Sequence, residues 1–173
     1  MAKKSSKKKT LKLVFTCLEV VFAIAALCMI FLPAIGVKDS DTSYSGLNAV
    51  FGYSTKTNLL VSTVETQVFS FSFLNLLTYL LVLIAVVLLI LKLAFKKQAK
   101  LVNLLSIILL IVAGVFFFLV VQFSVVAEGF SKLYAAFGSD PKAGLTLGIG
   151  AILGGVFALV SALATIGEVV IAD

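Results

Sequence analysis

Between Phe71 and Val126 the chain runs through one long apolar stretch, a break over residues 92–100 carrying Lys92, Lys96, Lys97 and Lys100, and a second long apolar stretch. Each stretch exceeds the roughly 20 apolar residues that cross about 30 Å of hydrocarbon as a helix. The break holds no acid, and short lysine-rich loops stay on the cytoplasmic side of a membrane. The stretch therefore predicts a transmembrane hairpin with its turn in the cytoplasm. That assignment sets the side of every other segment.

Composition points the same way. Of the 173 residues 61% are hydrophobic and the mean hydropathy is +1.20, against roughly 45–50% apolar residues in ordinary soluble domains. The net charge of +6 comes from lysines clustered beside apolar runs. Such clusters read as orientation signals and contacts for anionic lipid rather than as a nucleic-acid face. The chain has no His, no Arg and no Trp. The commonest general base and metal ligand is thus missing, as is the bidentate binder of carboxylate and phosphate. We expect no enzyme, no cofactor and no metal site. All-lysine basic content without Trp fits an AT-rich bacterial genome. Cys17 and Cys28 are eleven residues apart in one apolar run, about 16 Å along a helix, too far to bridge each other. They read as packing residues.

Residues 1–10 form a basic tail with Lys3, Lys4, Lys7, Lys8 and Lys9, expected to be disordered and cytoplasmic. The first span is expected over about 11–35; its length and the lack of a small-x-small site oppose a cleaved signal peptide. The others are expected over about 73–95, 101–126 and 144–171, with extracytoplasmic loops at 36–72 and 127–143 and both termini cytoplasmic. The fold class is an all-α membrane protein, a four-helix transmembrane bundle. In the first loop, Phe69, Phe71 and Phe73 alternate with Ser70 and Ser72, a period of two that suggests a small β element. A third span reaching Val126 must tilt or project, and Glu128 to Phe137 reads as its amphipathic continuation.

Three groups of residues are candidates for function. In the fourth span Gly144, Gly148, Gly150, Gly154, Ala158 and Ala162 recur at four-residue spacings. Small stripes let two helix backbones approach closely, inside a bundle or across an oligomer interface. Glu19 and Glu168 lie inside expected spans, at the level where Asn103 and Ser106 enter the third. Intramembrane carboxylates are costly and mark functional sites; such a cluster can hold a cation or proton or grip a partner helix. The plainer reading lets Glu168 reach water and pairs Glu19 with Lys12 or a neighbouring lysine. Lys3, Lys4, Lys7, Lys8, Lys9, Lys96, Lys97 and Lys100 are expected to contact anionic head groups. Asn75, Thr78, Tyr79, Gln122 and Ser124 are expected to hydrogen-bond between the second and third spans.

The order of basic tail, helix, long outer loop, helix, tight inner turn, helix, shorter outer loop and helix resembles the claudin and related tetraspan superfamily. Gly46-Leu47-Asn48 stands roughly where those proteins carry Gly-Leu-Trp. The resemblance is one of topology: the claudin Trp and the loop cysteine pair are absent, so it does not imply paracellular adhesion. The expected role is a plasma-membrane accessory or scaffolding subunit, as a homo-oligomer or in a larger membrane complex, without nucleic acid. The alternatives are a small transporter or channel component using Glu19 and Glu168, and a membrane-permeabilising or immunity protein.

Overall fold

The computed structural model describes residues 2–58, 63–94, 99–136, 138 and 140–172. Four of its helical segments, Lys8–Phe31, Phe73–Leu93, Lys100–Phe118 and Ile149–Ile171, are long and apolar enough to cross a membrane by length and composition. They belong to α1 (Ala2–Cys28), α3 (Phe73–Ala94), α4 (Ala99–Phe118) and α7 (Ile149–Ala172). Leu83, Val87 and Ile90 on α3 and Leu104, Ile108 and Val115 on α4 are exposed. Such faces suit hydrocarbon, because a helix satisfies its own backbone hydrogen bonds.

Two differences from expectation concern α1 and α4. Helix α1 starts at Ala2 rather than after Thr10. Lysine is a good helix former, and a helix already nucleated by an apolar run extends one bond at a time. The third span ends at Phe118 instead of reaching Val126: Leu119 leaves helical geometry, α5 (Val120–Phe123) adds one turn, and Val125–Val126 becomes strand β5. A run too long to fit the bilayer as one helix is thereby divided, its last β-branched pair entering a sheet.

The chain folds as two compact units. The helical unit comprises Met1–Cys28, Thr78–Val115 and Leu153–Asp173. Its buried residues are mostly small, among them Ala23, Ala26, Ala85, Ala113, Ala158 and Ala162, with Val82, Leu89 and Leu110 filling between them. Close approaches follow from this. A Cβ on Gly114 would lie 2.9 Å from the Leu159 side chain, and one on Gly167 would lie 2.7 Å from the Phe15 ring. Phe22 and Phe157 meet at a ring separation of 5.7 Å.

The sheet unit comprises Met29–Leu77 and Phe116–Ile152. It contains β1 (Pro33–Val37), β2 (Ser43–Ser45), α2 (Gly46–Phe51), β3 (Tyr53–Asn58), β4 (Thr63–Ser70), β5, α6 (Glu128–Ala136) and β6 (Leu145–Leu147). Two three-stranded antiparallel sheets result, ordered β2-β1-β6 and β3-β4-β5. The expected β element in the first loop is therefore present but larger, and each sheet takes one strand from beyond the third span. Serine 45 caps α2 by accepting from Asn48 N at 3.3 Å. Gly52 sits at φ +92°, where a Cβ would press against the carbonyl oxygen of Phe69 at 2.7 Å, so the turn from α2 into β3 needs glycine. Ala34, Ile35, Ala49, Val68, Phe69, Val120 and Ala151 form the core of the unit. Segment 128–136 is not a continuation of the third span. It is a separate helix, begun after Ala127 N bonds to Val68 O at 3.0 Å on the edge of β4.

Candidate functional site

Within the helical unit Glu19 on α1 and Glu168 on α7 come together, and the group that joins them is Lys92 on α3. Lys92 Nζ donates to Glu19 Oε1 and to Glu168 Oε2. All three are buried, at 0%, 4% and 6% exposure for Glu19, Glu168 and Lys92. Lys12 Nζ lies 3.6 Å from Glu168 Oε1, with its own side chain half exposed. Around the triad, Ser161 Oγ donates to Glu19 O at 2.6 Å and Thr165 Oγ1 to Ser161 O at 2.9 Å. Thr16 Oγ1 donates to Lys12 O at 3.0 Å.

Sequence reasoning placed Lys92 in the inner turn as an orientation signal, and the structure corrects this. Lys92 shares a helical stripe with Val82, Ala85 and Leu89, all buried, and a lysine at that register faces the core. Two intramembrane acids also require a nearby cation, a charge balance that would have singled out the lysine nearest the apolar run. Asn103 and Ser106 are buried as well, but Asn103 Oδ1 and Ser106 Oγ have no hydrogen-bond partner among the described residues, so no bond there ties these atoms to the triad.

The small-residue stripe divides. Gly144 and Gly148 precede α7 rather than lying on it. A Cβ on Gly144 meets nothing within 4 Å, whereas one on Gly148 would collide with the Pro33 carbonyl oxygen and lie 2.8 Å from Ala34 C. Gly150 faces the Leu32–Pro33 backbone at 2.9 Å. Thus Gly148 and Gly150 pack against the lead into β1, not against another helix. Gly154, Ala158 and Ala162 are buried on α7. A close helix approach also runs through Gly114, whose Cβ would stand 3.4 Å from Gly155 O, a pair outside the four-residue spacing.

Among the lysines expected at head groups, Lys8, Lys9 and Lys100 are exposed. The side chains of Lys3, Lys4 and Lys7 lie outside the described residues, as do Lys96 and Lys97. In the sheet unit, one of the expected polar links, Asn75 with Ser124, is present. Asn75 Nδ2 donates to Ala49 O and Ser124 Oγ, both at 3.0 Å, and Ser72 Oγ to Phe123 O at 2.6 Å. Gln122 contributes its main-chain oxygen, accepting from Lys142 Nζ at 2.8 Å.

The sheet unit also holds a partly open cavity of about 160 Å³, walled by Val37, Tyr44, Phe69, Val126, Phe130 and Tyr134 with Gly144 at its edge. Tyr44 packs edge-on against Phe69 at 4.9 Å, and Phe130 leans on Tyr134 at the same separation. Burial raises the Tyr44 phenol above its ordinary range, and the phenols of Tyr53 and Tyr134 add to the effect. Among the described residues, none lining the cavity is charged. Nothing in the sequence pattern announced it, because its walls come from β1, β2, β4, β5 and α6 at once.

No protein-family model matches this chain, and none of the curated proteins or solved structures compared with it does so either.

Proposed function

We propose that this chain is a multi-pass plasma-membrane protein, both termini cytoplasmic, that works without catalysis as an interaction subunit of a larger membrane complex. Its sheet unit faces outward and takes an apolar side chain of a partner protein into the cavity. The cavity itself carries this reading. An uncharged, ring-walled space of about 160 Å³ matches apolar cavities of roughly 150 Å³ that admit one benzene ring. An aromatic or leucine-sized anchor fits it, and such anchors dominate protein interfaces. The lysine-rich inner turn supports the outward placement of both polar loops, and the tetraspan order of elements agrees with an interaction module carried on those loops. Exposed Lys8, Lys9 and Lys100 serve as contacts for anionic head groups.

A photo-crosslinking residue at Thr42, on the cavity rim, tests this in intact cells. A discrete protein adduct is expected, lost when Gly144→Leu fills open space beside the cavity. No adduct, or one undiminished by Gly144→Leu, rejects the cavity as the contact.

A further inference from the structure

Glu19, Lys92 and Glu168 place two acids against one ammonium where water is excluded. The two acids are not equivalent. Glu168 has an ammonium at each oxygen, Lys12 at Oε1 and Lys92 at Oε2. Glu19 has one, Lys92 at Oε1, while its buried Oε2 has no hydrogen-bond partner among the described residues. An unpaired carboxylate oxygen in a low-dielectric interior is among the costliest arrangements a protein can hold. One proton on Oε2 removes it. Glu19 becomes a neutral acid, and Oε1 still accepts from Lys92. A metal cation is the poorer occupant, because Lys92 Nζ already stands between the carboxylates, and no group of three metal-ligating side chains occurs among the described residues.

We propose that Glu19 is a proton-binding site, holding one exchangeable proton at Oε2, while Glu168 keeps an ammonium at each oxygen, Lys92 and Lys12. Among the described residues the charged groups facing the site are Lys92 from α3, Glu168 from α7 and, beyond Glu168, Lys12 from α1 itself; the Thr165 hydroxyl also lies against the Glu19 carboxyl, while Ser161 bonds its main-chain oxygen. Uptake converts the Glu19 carboxylate and one proton into the carboxylic acid. Release returns a negative charge to Glu19 that draws Lys92 away from Glu168, which keeps Lys12, so a single proton sets how the clamp among α1, α3 and α7 is shared. This goes beyond the cavity reading and stands or falls separately from it.

Infrared spectra of the full chain in lipid nanodiscs at pH 7 test the assignment. The other described acids, Asp39, Asp41, Glu65, Glu128 and Asp140, are exposed, so the buried carboxyls among the described residues are those of Glu19 and Glu168. The expected result is a carboxylic-acid C=O band that shifts in D2O, vanishes in Glu19→Gln and persists in Lys92→Gln. Absence of the band from the unaltered protein overturns the proposal, as does its survival in Glu19→Gln or its loss in Lys92→Gln. Should Lys92→Gln or Glu19→Gln fail to fold, the milder Glu19→Asp and Glu168→Gln assign the band: a shift in Glu19→Asp with persistence in Glu168→Gln is expected, and loss in Glu168→Gln alone overturns the proposal.

Discussion

The hydroxyl of Ser161 on α7 donates a 2.6 Å hydrogen bond to the main-chain oxygen of Glu19 on α1. A helix carbonyl already accepts from the residue four positions on, so this second bond ties the backbone of one helix to the side chain of another. Replacing Ser161 with Ala should lower stability by about 0.6 kcal/mol, and by no more than roughly 2 kcal/mol, the range for interhelical hydrogen bonds in bilayers. Unfolding of the two proteins in mixed micelles measures the difference.

Lys92→Met should cost far more. It removes the cation that Glu19 and Glu168 share and leaves buried acids facing each other. Breaking a buried pair costs about 3–5 kcal/mol, whereas removing every charge of the set is often neutral. The triple variant Lys92→Met, Glu19→Gln, Glu168→Gln should therefore recover most of the loss, measured by the same unfolding assay. If the triple variant is no better than Lys92→Met alone, packing of the lysine stem rather than charge accounts for the effect.

Sequence and structure agree most closely where one physical term dominates. Four apolar runs of span length leave little choice but four helices, and the two acids within them were legible as a site because a carboxylate in hydrocarbon needs a partner. The partner was not legible. Lysine is both a topology signal and a core cation, and only the register of Lys92 with Leu89 and Ala85 separates the two roles. The sheets were half legible. Alternation near Phe69 marks β4, but the two residues Val125–Val126 and the three of Leu145–Leu147 are too short to carry a period. They become strands because Ser70 and Gly36 offer free backbone partners. Spacing likewise could not tell that Gly148 lies against the Pro33–Ala34 backbone of a strand.

Gly148→Ala tests that contact. Its Cβ would press on the Pro33 carbonyl and lie 2.8 Å from Ala34 C, main-chain atoms that cannot rotate away. A loss of about 1–3 kcal/mol is expected, as for other overpacked sites. Gly144→Ala, which meets nothing within 4 Å, should change stability by less than about 0.5 kcal/mol. Thermal melts of the two variants side by side decide it.

Tyr44 should give the sheet unit an alkaline limit. Burial, with smaller contributions from Tyr53 and Tyr134, raises its phenol above the ordinary value of 10.0. The fold thus favours the protonated form. That contribution is whole below pH 10 and is lost as pH rises through the higher folded value. Alkaline titration followed by near-ultraviolet circular dichroism should show the unit loosening above pH 10, with a shallower loss in Tyr44→Phe.

The account rests on the sheet unit being presented outside the cell, where a partner can reach its cavity. Membrane-impermeant maleimide labelling of single cysteines in intact cells, with Cys17 and Cys28 first changed to Ser, reads this directly. Thr42→Cys, on the cavity rim, should label before lysis and Thr10→Cys only after it. Labelling of Thr10→Cys in intact cells, with Thr42→Cys protected until lysis, would contradict the account.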